Sequence, residues 1–177
     1  AFSEIAEQNS PQTFEVVQRV LAFCTSVSID VPWWEALCKV LSRGSAPAVD
    51  FLIPHLSSPD AGVRGGACKL LAGLAEKGSP KALDVLTPLL SDSKAEVQMM
   101  ALEALGEIGQ RGILSEPHQS AMDCIKMSIP RYPLVACKTL GQLAEKGDQQ
   151  AIALLSPLIN DSANNLEIAA ACEALGE

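Results

Sequence analysis

Two histidines, six cysteines and an adjacent pair of tryptophans are the residues of this 177-residue chain with the most chemistry available to them. Their spacing builds no reaction centre. His55 follows Pro54 in "IPHL" and is expected to pack half-buried; His118 lies in "SEPHQ" at a helix start and is expected to be solvated. No G-x-S-x-G turn, Ser–His pairing or phosphate loop accompanies them. Cys24, Cys38, Cys68, Cys124, Cys137 and Cys172 form no C-x-x-C pair, and none stands at metal-ligand spacing from a histidine. Most fall on apolar faces, which reads as small buried hydrophobes in a reducing compartment, with zinc or redox chemistry as the other reading. No catalytic, cofactor-binding or metal-binding residue is assigned, and the chain is expected not to be an enzyme.

Two stretches are candidates for contact with a partner. "VPWWEALC" sets Trp33 and Trp34 side by side at a helix start. Neighbouring helical residues point about 100° apart, so both cannot face a core equally, and Trp33 is expected to be the exposed one. It serves either a partner or a neighbouring turn of the same chain. "IPRYP", residues 129–133, holds Arg131 and Tyr132 between two prolines that fix their directions; a plain interhelical turn is the alternative.

The bulk composition narrows the partner. The formal net charge is -8, which opposes a phosphate backbone, so nucleic acid is not expected. No apolar run reaches the roughly 18 residues of a membrane span, and no basic segment leading into an apolar one opens the chain. An intracellular reducing compartment is expected, the cytoplasm first. Because the chain begins with Ala, an organelle reached after loss of a targeting peptide is the other possibility. It is 48% hydrophobic but only 4% aromatic, a mix that suits helices packed closely through Ala and Leu.

The elements that must position these residues repeat. "ACKLLAGLAEKG" at Ala67 to Gly78 returns as "ACKTLGQLAEKG" at Ala136 to Gly147, 69 residues later. "GSAPAVDFLIPHL" from Gly44 returns 34 residues later as "GSPKALDVLTPLL" from Gly78, and Gly147 opens "GDQQAIALLSPLI". A period of this size marks stacked supersecondary units. Each unit reads as a helix A, a short polar turn and a helix B. Ala82, Leu83, Val85, Leu86, Leu89 and Leu90 make an apolar A helix; Val97, Ala101, Ala104, Leu105 and Ile108 form the stripe of a B helix. Arg43-Gly44, Lys77-Gly78, Arg111-Gly112 and Lys146-Gly147 predict B-helix ends, a cation on the negative terminus and a left-handed Gly cap. Units are placed at about 10–43, 44–77, 78–111, 112–146 and 147–177, one domain over 1–177. Pro54, Pro88 and Pro157 are expected to interrupt A helices rather than end them. The closing "ACEALGE" matches "ALEALGE" at 101–107, so the last unit reads as truncated.

"ALDVLTPLLSDSKAEVQMMALEALGEIG" and "VRGGACKLLAGLAEKG" resemble HEAT repeats, and within them the short HEAT-like repeats of phycobilisome lyases. The marks are a Pro inside helix A (Pro54, Pro88, Pro157), an Asp in the turn (Asp92, Asp161) and Val-Arg opening helix B (Val63-Arg64 alone). The resemblance implies an all-α, right-handed α-solenoid of about five two-helix HEAT-like repeats. It implies a non-enzymatic protein-binding scaffold or accessory subunit of a larger assembly. The alternative it implies is a bilin-lyase-like subunit that holds an open-chain tetrapyrrole. The paired His-Glu motifs of HEAT-like iron hydroxylases are absent, as are the Trp and Tyr positions of tetratricopeptide repeats, which share the period.

With the units aligned, one B-helix column reads Glu35, Lys69, Glu103, Lys138, Glu173, alternating in sign. Neighbouring B helices about 8–10 Å apart would let such side chains meet as an inter-repeat charge ladder that sets register; chance charge on exposed faces is the other reading.

Overall fold

The computed structural model describes residues 11–23, 38, 41, 45–109, 119–144 and 148–161. Trp33, Trp34, Glu35, His118 and Glu173 lie outside them. The described residues form helices and turns and no strand. In chain order the α-helices are α1 (Pro11–Phe23), α2 (Ala46–Leu52), α3 (Ala61–Leu74), α4 (Pro80–Leu86), α5 (Ala95–Ile108), α6 (Gln119–Ser128), α7 (Pro133–Leu143) and α8 (Gln149–Asp161). Helix α3 packs on α5 and α5 on α7, so the B helices form one stacked layer, with α2, α4 and α6 as their A partners. This is an α-solenoid.

The stack rests on matched columns of side chains. Ala67, Ala101 and Ala136 are fully buried at the same place on α3, α5 and α7; Leu71, Leu105 and Leu140 follow one turn later, then Leu74, Ile108 and Leu143. Alanine at the first place lets the backbones approach, and leucine at the others fills the gap between units. The apolar cluster is continuous from Val17 on α1 to Leu155 on α8. Thr139 replaces the leucine found at position 70; although buried, its hydroxyl donates to the Leu102 carbonyl at 3.0 Å, so burial leaves no orphan.

Caps start the helices. Asp60 accepts from the Val63 amide at 3.1 Å, and Asp148 from the Gln150 amide at 2.8 Å. Pro54 and Pro88 keep the A helices running but change their pitch: α2 passes into a 3₁₀ turn at Ile53–Ser57, and α4 at Thr87–Ser91. Proline cannot donate to the carbonyl four residues back, and the tighter pitch avoids its ring clash. Side chains add bonds to carbonyls of the same turn: His55 Nδ1 bonds the Phe51 carbonyl at 3.0 Å, and Thr87 Oγ1 donates at 2.8 Å to the Leu83 carbonyl that the Thr87 amide also bonds. Pro157 lies inside α8, whose Ser156 hydroxyl donates to Ile152 at 2.6 Å.

The helix ends differ from the sequence expectation. Helices α3, α5 and α7 stop at Leu74, Ile108 and Leu143, well short of the Gly column. Ala75, Gly109 and Ala144 follow, each extended (ψ 148°, 153° and 146°), each amide bonded to the carbonyl four residues back. Small residues are needed there: a Cβ on Gly109 would stand 1.6 Å from Leu143 Cδ2 of the next B helix. Gly78 does have left-handed backbone, φ 73°. Its amide donates to the Ile108 carbonyl at 2.7 Å, and the Lys77 ammonium donates to the Glu107 carbonyl. The Lys-Gly pair therefore caps the B helix of the following unit, not its own. Gly44, Gly112 and Gly147 lie outside the described residues.

Candidate functional site

The solvent side of the B-helix layer follows from the core columns. Lys69, Glu103 and Lys138 stand one residue before Leu70, Ala104 and Thr139, so one column carries all three; Glu103 and Lys138 are exposed and Lys69 is half-buried. Glu107 adds a second carboxylate one turn along α5 from Glu103. Lys69, Glu103 and Glu107 rim a depression of about 100 Å³ whose floor is Ala72, Met100 and Ala104, at the seam of α3 and α5. A shallow apolar floor with charges of both signs at its rim suits a side chain with an apolar stem and a charged head.

The ion pairs that join successive units include Arg64–Asp92 and Lys81–Asp50, both away from that column. Arg64 opens α3, and Asp92 lies in the turn before α5. Arg64 Nε donates to one Asp92 oxygen at 2.7 Å and Nη2 to the other at 2.8 Å; Nη1 donates to the Ser58 and Pro59 carbonyls at 2.8 and 3.1 Å. The side chains are 11% and 8% exposed. The Arg64 guanidinium holds the Asp92 carboxyl below its ordinary value, and Asp92 raises Arg64 in turn. Burial, then the Asp92 charge, pushes the nearby Cys68 thiol up to about 12, which leaves it a buried thiol without nucleophilic character near neutrality.

Tyr132 and Arg131 form the next joint. The half-buried Tyr132 donates to the Ala95 carbonyl at 3.0 Å, with Gln98 Oε1 at 3.4 Å. Arg131 is exposed, reaches Gln98 Oε1 at 3.4 Å and lies over the Tyr132 ring at 5.6 Å. Sequence reasoning singled out this pair for an outside partner; the structure gives Tyr132 internal bonds, and the face of Arg131 remains open to solvent. Sequence reasoning also passed over the Arg64–Asp92 clamp. Its two members were visible separately, as the Val-Arg and the turn Asp of the repeat. Cys68 and Cys137 are buried and Cys38 and Cys124 half-buried, all as thiols and not as disulfides. Among the described residues no three His, Cys, Asp or Glu side chains cluster as metal ligands. Nor is any helix among them long and apolar enough to cross a membrane.

A family model of HEAT repeats matches residues 36–117, a span that takes in α2 to α5. The crystal structure of one engineered protein superposes with a TM-score of 0.62 at 20% identity, over 79% of this chain and 65% of its own. A second engineered protein gives 0.63 at 18% identity, over 98% of this chain and 78% of its own. At such identities the likeness is one of fold. The chain spans only 65% of the length of the first of these. No curated protein matches it in sequence. The closer resemblance to phycobilisome-lyase repeats, and the bilin reading built on it, gains nothing from these matches.

Proposed function

We propose that this chain is a non-enzymatic scaffold, or accessory subunit of a larger assembly, that binds a protein partner along the solvent face of its B helices. Units at about 10–43, 44–77, 78–111, 112–146 and 147–177 are its building blocks. HEAT repeats generally serve as protein-interaction scaffolds, and stacked units present a continuous surface on which residues vary without loss of fold. The observation that carries the reading is the column Lys69, Glu103, Lys138 beside the α3–α5 depression. Three charges of alternating sign in one register offer a ladder between repeats, and the same charges are addressable by a partner. The exposed face of Arg131 would add to this surface, and Trp33 and Trp34 are further contact candidates from the sequence.

The test is cross-linking in native lysate with quantitative mass spectrometry, comparing the natural chain with a Glu103→Lys, Lys138→Glu double variant. Both side chains are exposed, so the fold should survive, as far-ultraviolet circular dichroism would verify. A partner recovered in stoichiometric amount by the natural chain, and lost by the variant, is expected. Equal recovery by both would move the binding surface elsewhere. A shifted absorption band on mixing with an open-chain tetrapyrrole would overturn the scaffold reading in favour of chromophore binding.

A further inference from the structure

The two described joints between B helices use the same positions but different residues. Buried Val63 on α3 and Val97 on α5 precede the matched Ala67 and Ala101 by one turn, so Gln98 stands where Arg64 stands. On the A side, buried Leu83, Leu86 and Leu90 recur in spacing as Met122, Ile125 and Ile129, so Arg131 stands where Asp92 stands. The contact between the two positions is kept at both joints. At the first it is a bidentate ion pair of two largely covered side chains, Arg64 donating to Asp92 at 2.7 and 2.8 Å. At the second the polarity is reversed: an exposed Arg131 reaches a neutral Gln98 through one bond of 3.4 Å.

We propose that the α5–α7 joint is the pivot of this array, about which the flanking units shear and turn while α3 and α5 move as one body. Two parallel bonds between planar groups fix distance and orientation together. Any slide of the Asp92 turn against α3 stretches both of them and strands a charge where water is scarce. Arg64 is held in addition by the Ser58 and Pro59 carbonyls of its own turn, so the clamp ties three elements. At the second joint Arg131 can leave Gln98 for water at little cost, since it is already exposed. Among the described residues the short side-chain bonds shown across it are two single hydroxyl contacts at 3.0 Å, Tyr132 to Ala95 and Thr139 to Leu102, seven residues apart on α5. Two point contacts define a line, and rotation about that line preserves both. The apolar contacts between α5 and α7 are non-directional and tolerate a small slide. This inference concerns the array itself and does not depend on the scaffold reading.

Distances between paired spin labels test it, with the labels carried on genetically encoded ketone side chains so that the native cysteines remain. Ser57, Ser91 and Lys126 are exposed. The pair 57/91 spans the first joint and 91/126 the second. In the otherwise natural chain the second distribution should be about twice as broad as the first, as a joint free to shear would give. Gln98→Arg with Arg131→Asp rebuilds the first joint's residues at the second, and should narrow that distribution to match the first. Equal widths across the two joints of the natural chain would overturn the proposal whether or not the double variant folds. A folded double variant with an unnarrowed second distribution would overturn it too.

Discussion

Asp92 is the residue on which the first joint is most sensitive to pH. Its folded value lies below the ordinary one because Arg64 stabilises the carboxylate. A group lowered on folding contributes stability that is complete above its unfolded value, near pH 3.9 for Asp, and that is lost as pH falls through the folded value. Raising the pH from neutrality changes nothing. Asp92→Ala leaves Arg64 beside two carbonyls with no counter-charge, a loss on the order of 1–3 kcal/mol at pH 7. Urea unfolding should show that gap at neutral pH and a smaller one below about pH 4, where the natural chain loses its own pairing; a gap unchanged between the two conditions would contradict the account. This clamp was only half legible in the sequence. Val-Arg and the turn Asp were each visible as marks of a repeat, but a period reports what recurs within units. Arg64 and Asp92 belong to different units, 28 residues apart. Gln98 and Arg131, which replace them at the next joint, matched no pattern, because they break one.

At the scale of the element, the Lys-Gly signature shows how a correct residue pattern can be given to the wrong helix. Periodicity located Lys77 and Gly78 at the end of a unit, and chemistry required that a cation and a left-handed glycine meet free carbonyls. The chemistry holds: a cation and a left-handed glycine do meet helix-end carbonyls. The carbonyls are those of Glu107 and Ile108 on α5, some 30 residues ahead. Spacing along the chain cannot distinguish a helix's own end from its neighbour's, since the stack brings the two ends side by side. The true stop signal is quieter: the small residues Ala75, Gly109 and Ala144, which make room for the next helix. Lys77→Met keeps the aliphatic stem and removes the charge from the α5 terminus. It should cost about 0.3–1 kcal/mol, the usual worth of an exposed cation at a helix end. Lys77→Glu should cost more, and high salt should shrink the difference between the two variants. Amide exchange gives the sharper readout: Gly78 and the last turn of α5 should lose protection in Lys77→Met while the interior of α3 keeps its own. Faster exchange confined to α3 would return the cap to its own helix.

The whole molecule was the most legible scale, since a solenoid is written as a period, and the period was in plain view at 69 and 34 residues. What it does was the least legible, for the same physical reason. A reaction centre needs particular residues at fixed spacing, whereas a stacked surface distributes recognition over positions that the fold leaves free to vary. Stability should be distributed in the same way. Helix α5 packs its leucine column between α3 and α7, so removing the unit on one side exposes one interface and leaves the other intact. Residues 1–111 keep α1 to α5 and the Arg64–Asp92 clamp, and lose the cover that α7 gives to Leu102, Leu105 and Ile108. That fragment should therefore unfold in urea as a single cooperative transition at a lower midpoint and with a smaller m-value, in proportion to the surface it still buries. A fragment that melts without cooperativity would mean that the core is indivisible, as in a globular domain, and that the nearest-neighbour description of this chain is wrong. If cooperativity survives, replacing Leu102 on the newly exposed face of α5 should cost less in the fragment than in the full chain. Replacing Met100, which lies against Gly65 at the retained α3–α5 seam, should cost the same in both, because only contacts between adjacent units enter the sum.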